Sequence, residues 1–466
     1  MLFNSLQFPV FLLAVVLVYW MLQKRAQNTL LLVASYYFYG SWNWKFLGLI
    51  LLSTIIDYTL SQRLAQTQET ARRKRLVLIS IVVNLGILAT FKYFNFFAGS
   101  LYELLMGLGI QTDPLVLNVI LPVGISFYTF QTMGYTIDVY RKQTEPCGDP
   151  LNFALYVCFF PQLVAGPIER ASRLIPQIEN PRTFSSAVFQ KGIFLIAWGM
   201  WKKVVIADNM AVIVDQLFTQ EASTGFASLL AGYGFALQIY CDFSGYTDIA
   251  RGTALLLGFN LCENFNLPYF SQSIQEFWRR WHMSLSAWLR DYLYIPLGGN
   301  RKGTRRTYIN LMTTMLLGGL WHGAAWTFVI WGGLHGSMLA IERKLGLPMT
   351  TSGGNLKKAI RILITFHLVC LTWIVFRADS ASNLWMVLEG FGSWARPESE
   401  HVVMAVKILV CASMLGFVQI FQHLKRDHLY ILQLKWPTRT AYYFAGLYIF
   451  LLFANFEVSE FIYFQF

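Results

Sequence analysis

His322, flanked by Trp321 and Gly323, lies in the least polar part of a stretch from Gln275 to Gly336 that holds three of the chain's seven histidines. Desolvation disfavours a charged imidazole, so a histidine there stays neutral and keeps a lone pair able to take a proton from an attacking hydroxyl. The same ring could instead bond to a carbonyl of a neighbouring helix, and the residues alone leave both readings open. His282 follows Trp278, Arg279, Arg280 and Trp281 in a more polar setting, where an interfacial histidine is the plainer reading. His335 is 13 residues beyond His322. At about 100° per residue that is another face of a continuous helix, so a structural role is expected. His367 reads as a packing residue, and His401, His423 and His428 sit in loops or at span ends.

Arg279, Arg280 and Arg290 are interleaved with aromatic residues around His282. Guanidinium groups suit phosphates, so these three are the candidates for holding a cytoplasmic donor such as coenzyme A. Lys302, Arg305 and Arg306 read as marks of the cytoplasmic side. Tyr463 stands among Phe461, Phe464 and Phe466. By residue type this is an interfacial anchor, although a base close by would let the phenol act as an acyl acceptor. No phosphate-binding P-loop, dinucleotide fingerprint or nucleophile elbow is present.

These residues sit in a chain of 466, 55% hydrophobic and only 13% charged. Its apolar runs are too many and too long for one soluble core, so the fold class is an all-α polytopic membrane protein, a single integral-membrane domain over residues 1–466. The net charge of +12 lies in short loops between apolar runs, which is the positive-inside signal and not a nucleic-acid stripe. Cys147, Cys158, Cys241, Cys262, Cys370 and Cys411 are scattered with no CxxC pair. Free thiols are expected, with no disulfide framework and no metal site.

Residues 5–22 read as a retained first span, and residues 28–60 as two spans turning near Trp42 and Asn43. Residues 76–91 cross again, with 93–108 placed along the interface. Pro122 and Gly124 should break the segment 115–140. Asp242 and Asp248 lie beside apolar sequence and need partners such as Arg251. Residues 261–306 hold too many charges for a span and are expected as an amphipathic or re-entrant helix at the cytoplasmic surface. Residues 308–341 lie between two basic loops and so should dip in and return as a hairpin, with Gly318-Gly319 and Gly332-Gly333 as the places to bend. Counting about 16 residues from Arg306 puts His322 roughly 24 Å along that helix, near the bilayer interior. The loop charges place both termini on the outer face. Span 441–456 is the last, leaving Glu457 and an aromatic tail over 457–466 outside.

The segments Arg279-Arg280-Trp281-His282, Arg290-Asp291-Tyr292-Leu293-Tyr294-Ile295-Pro296-Leu297-Gly298-Gly299 and Trp321-His322-Gly323 resemble the membrane-bound O-acyltransferase superfamily. Within its bacterial polysaccharide-modifying branch the chain is most like the alginate-acetylating members, over nearly its whole length. The resemblance implies a ring of transmembrane and re-entrant helices around a central tunnel. It implies that His322 matches the catalytic histidine and His282 the second motif position. It also implies acetyl-CoA as donor, entering from the cytoplasm of a bacterial inner membrane, and a periplasmic acyl-accepting partner tied to polysaccharide synthesis and export. The terminal aromatic motif looks like that of a small partner protein in lipoteichoic acid D-alanylation, which raises Tyr463 from anchor to candidate acyl carrier. The rival readings are acetylation of cellulose or peptidoglycan, a scaffold for polymer export, and a transporter of an intact substrate. A transporter should show paired half-spans in two repeats, and the sequence shows no repeat.

Overall fold

The computed structural model describes residues 1–163, 166–219, 223–455 and 461–464. Glu457 and the last two residues of the expected tail lie outside these. Among the described residues all regular structure is helical, and all six cysteines are free thiols. Among the described residues four helical stretches are long and apolar enough to cross a membrane, Lys24–Gln66, Thr70–Gly107, Asn355–Arg377 and Ser399–Lys425. The chain divides into two compact units, one of residues Met1–Ile193 with Ala250–Cys262, the other of Phe194–Ile249 with Glu263–Phe466.

In the first unit the helices Lys24–Asn43 and Leu47–Gln66 are joined by one short turn, Trp44–Phe46, where the sequence placed it. The first helix, Gln7–Tyr19, has 13 residues. That is about 20 Å, shorter than the 5–22 span expected and short of a bilayer core of about 30 Å. Thr70–Leu88 does not stop at residue 91 but continues through a π turn at Ala89–Tyr93 into Phe94–Gly107. The break at Pro122 and Gly124 is present, since residues 110–122 have no regular structure and the helix begins only at Ile125. Asp57 is fully buried here. Its carboxylate accepts from Thr136 Oγ1 (2.7 Å), from Asn84 Nδ2 (2.7 Å) and from Ser80 Oγ. Three donors from two helices, Thr70–Leu88 and Ile125–Tyr140, offset the cost of removing that carboxylate from water.

The second unit carries the stretch of interest. Its helix Ser399–Lys425 buries Met404, Ile408, Leu415 and Val418 and exposes Val403, Val406, Leu409, Phe417 and Leu424. Both faces are apolar, as lipid contact requires and water would not allow. Residues 261–306 contain no spanning helix; they hold a 3-10 turn at Pro268–Phe270, the helices Ile274–Arg280 and Met283–Leu289, seven residues each, a π turn at Arg290–Tyr294 and the start of the next helix at Thr304. A helical hairpin follows, Thr304–His322 and Trp326–Lys344, as the flanking basic loops implied.

The glycine pairs do not bend that hairpin. The chain reverses at 323–325, and Gly319 and Gly332 lie inside uninterrupted helices facing one another. A methyl group on Gly319 would fall on the Phe328 carbonyl oxygen, and one on Gly332 on that of Met315. The missing side chains let two backbones touch.

Candidate active site

His282 is aimed by the helix Ile274–Arg280 that precedes it. The first N–H groups of a helix have no partners within it and need external acceptors. Here Ser273 Oγ accepts from Glu276 N–H (3.0 Å), and Glu276 Oε2 accepts from Gln272 N–H (2.7 Å). The Glu342 carboxylate, from the second hairpin arm, accepts from Ile274 N–H (2.7 Å) and Gln275 N–H (3.0 Å). The helix is thus pinned at its start, and at its end the fully buried Trp281 stacks on Phe277 at 5.5 Å.

The backbone then turns left-handed at His282 itself, with φ 42° and ψ 54°. Histidine tolerates that region better than most residues, but it is still an uncommon conformation. Asn264 holds the turn: its backbone oxygen accepts from Met283 N–H (2.9 Å), and its Oδ1 accepts from Ser284 N–H (3.2 Å) and Ser284 Oγ (2.9 Å). The same Oδ1 is 3.2 Å from His282 Nδ1. His282 lies between two helices too short to span, and its complete burial pushes the imidazole down to about 3, so the ring is neutral.

His322 is the last residue of the first hairpin arm, at the reversal of the chain. It is 2% exposed. Rings surround it, with centroids of Trp321 at 5.1 Å, Trp331 at 5.2 Å, Phe376 at 5.5 Å, Tyr463 at 5.5 Å and His282 at 6.3 Å. Tyr463 is in turn 6.4 Å from His282. Two imidazoles and one phenol therefore meet inside a wall of aromatic rings. The Tyr463 hydroxyl oxygen is buried, although other atoms of the residue are partly exposed. Burial raises the phenol well above its usual value, so it enters any reaction neutral and needs a base.

Residues that the sequence did not single out for the site complete it. Phe243 wedges between the groups, 4.7 Å from His282 and 4.6 Å from Tyr463. Phe461 stacks on Tyr246 at 4.5 Å, and the backbone N–H of Ile462 donates to Asp242 Oδ2 at 2.7 Å. Asp242 Oδ1 is paired with Lys203 Nζ at 2.8 Å, and Lys203 also meets Asp208 Oδ1 at 2.8 Å. Asp248 pairs with Lys202 at 2.7 Å. The sequence had flagged both carboxylates as needing partners, and the lysine pair inside an apolar run was the signal for where to look.

His335 is held from both sides. Trp278 Nε1–H donates to its Nδ1 (3.3 Å), and its Nε2–H donates to Thr372 Oγ1 (3.0 Å), so both nitrogens are engaged. The three arginines have divided surroundings. Arg279 is exposed. Arg280 pairs with Glu276 (2.7 Å) and donates to the Asn266 carbonyl (3.1 Å), while Arg290 pairs with Asp291 (2.7 Å). Among the described residues no group of three histidine, cysteine or acidic side chains is placed to hold a metal ion.

Residues 36–376 match the sequence profile of the membrane-bound O-acyltransferase family. The chain belongs to that family. The acyltransferase is 45% identical over 404 residues to a probable alginate O-acetylase of Pseudomonas aeruginosa, covering 85% of this chain and 76% of the relative. It is 37% identical over 426 residues to a peptidoglycan O-acetyltransferase of Helicobacter pylori, covering 84% and 79%. A teichoic acid D-alanyltransferase of Bacillus subtilis is 31% identical over 278 residues, covering 56% and 69%. His282 and His322 fall within the matched region of the acyltransferase, and Tyr463 falls beyond it.

Proposed function

We propose that this acyltransferase takes an acetyl group from cytoplasmic acetyl-CoA and passes it across the inner membrane for O-acetylation of an exopolysaccharide, alginate being the first choice. The observation that carries the reading is the triangle of His282, His322 and Tyr463, whose ring centroids lie 5.5 to 6.4 Å apart. His322 is the base and Tyr463 the first acceptor. His322 takes the phenolic proton as the Tyr463 oxygen attacks the thioester carbonyl. A C–O bond forms, the C–S bond breaks, and the departing CoA thiolate takes the proton back from the imidazolium. His282 positions the reacting groups through its fixed ring. The acetyl-tyrosine then passes its acetyl group to a periplasmic acyltransferase working with the polysaccharide synthesis and export machinery.

Exposed Arg279, with Arg280 and Arg290 after exchange of their carboxylate partners, would hold the donor's phosphates. The name of the Pseudomonas relative supports alginate. The Helicobacter relative supports a second reading, in which the acceptor is peptidoglycan. The loop charges support a cytoplasmic donor side and periplasmic termini. His322→Ala, shown to be folded by its elution and thermal midpoint, should lose polysaccharide acetylation by about 10²- to 10⁴-fold, the range for removal of a general base. Acetylation at the wild-type rate would remove His322 from the chemistry.

A further inference from the structure

The fragment Phe461 to Phe464 reaches the two histidines under a specific restraint. Its rings pack on aromatic neighbours, Phe461 stacked on Tyr246 and Tyr463 tilted at 49° against Phe243. Ring contacts carry no hydrogen-bond direction, so they set the depth of the segment more than its register. Register comes from the polar contact, the Ile462 N–H to Asp242 Oδ2 at 2.7 Å. The acceptor is itself immobilised: Asp242, Lys203 and Asp208 are each at most 2% exposed, and the lysine bridges both carboxylates at 2.8 Å. The contact falls on the residue directly before Tyr463, where a slip of one residue would move the phenol by roughly 3 Å.

We propose that Asp242, locked by Lys203, is a positioning residue that docks the C-terminal segment through the Ile462 backbone N–H and thereby holds the Tyr463 hydroxyl at His322. This rests on Tyr463 being the first acceptor. The clamp reads backbone, so it is indifferent to the side chain at 462. A hydrogen bond to a charged acceptor in a dry site is strong and directional enough to carry that task alone.

The direct test is Ile462→Pro in the full-length protein, which deletes the donating N–H and leaves Asp242 and Lys203 intact. Ile462 opens a single helical turn, Ile462–Phe464, whose closing bond runs from Phe464 N–H to the Phe461 carbonyl, so proline at the first position removes no other donor. Asp242→Ala is the complementary variant, with Ile462→Ala as the control that keeps the N–H. Two readouts are needed, hydrogen exchange of the C-terminal peptide and the kinetics of CoA release from acetyl-CoA. Ile462→Pro and Asp242→Ala should speed exchange of that peptide and lower kcat by about tenfold or more, with KM for acetyl-CoA within about twofold of wild type. Ile462→Ala should match wild type. Unchanged exchange in Ile462→Pro would overturn the clamp. So would faster exchange with kcat preserved, provided that Tyr463→Phe is inactive. If Tyr463→Phe is fully active, the acceptor reading fails instead, and faster exchange would still show the clamp as a docking contact. If Asp242→Ala does not fold, Ile462→Pro decides alone.

Discussion

The side-chain oxygen of Asn264 lies 3.2 Å from Nδ1 of His282 and also accepts the backbone N–H of Ser284 at 3.2 Å. Because a backbone N–H can only donate, the Asn264 atom is an acceptor, and His282 Nδ1 must carry the proton that faces it. A neutral His282 ring therefore has its lone pair on Nε2.

Asn264 is accordingly expected to act through His282. Asn264→Ala should lower turnover by about tenfold or more, as loss of a buried hydrogen bond implies. Asn264→Asp keeps an acceptor for Nδ1 and adds a negative charge that favours the imidazolium. The pH–rate profile of Asn264→Asp should shift upward relative to wild type, whereas a purely structural asparagine would change the rate without moving the profile.

Burial that pushes His282 down to about 3 ties stability to pH. The folded value lies below the unfolded value of about 6.5, so the unfolded chain takes up the proton first as the pH falls. This contribution is complete above about pH 6.5 and is lost progressively toward pH 3. Thermal unfolding in detergent should show a midpoint that drops from pH 7 to pH 4.5 in wild type and drops less in His282→Asn.

The hairpin glycines separate by position. Gly319→Ala and Gly332→Ala each place a methyl group on a backbone carbonyl oxygen and should destabilise by about 1 to 3 kcal/mol or more. A methyl on Gly333 would sit 3.5 Å from Leu316 Cδ2, an ordinary contact, so Gly333→Ala should leave the midpoint close to wild type. Differential scanning fluorimetry of the three variants makes the comparison.

Lys203 should be among the most sensitive positions for stability. Lys203→Met leaves Asp208 and Asp242 buried together without their shared cation. Breaking a buried pair from one side costs about 3 to 5 kcal/mol, and the variant should express poorly or unfold at markedly lower temperature. Lys203→Arg, which keeps the charge, should recover part of the loss.

How much of this was legible in the sequence depended on the range of the interaction. The turn near Trp42, the break before Ile125 and the hairpin between two basic loops follow from local residue chemistry and from loop charge. The role of Gly319 and Gly332 was misread, because a glycine that bends a helix and one that lets two helices touch look alike until the partner backbone is known. The pairing of Lys203 with Asp242 was missed for the same reason, although a lysine pair and three aspartates in apolar runs already required compensation. His282 and His322 were visible as candidates, yet only the resemblance pointed to the tyrosine. Nothing in the spacing of residues 282, 322 and 463 brings their rings together. The first span was drawn too long because apolar composition continues past the points where the helix Gln7–Tyr19 starts and stops, and the continuity of Thr70–Leu88 into Phe94–Gly107 was missed because the aromatic residues between them give no sign of it.

Mass spectrometry of the purified protein after brief incubation with isotopically labelled acetyl-CoA tests the central claim most directly, with His322→Ala and Tyr463→Phe alongside. The expected result is a labelled acetyl group on the C-terminal peptide of wild type, absent from both variants, with CoA released in step. Transfer of label from donor to polysaccharide by a fully active Tyr463→Phe, with no labelled C-terminal peptide in wild type at any quench time, would contradict it.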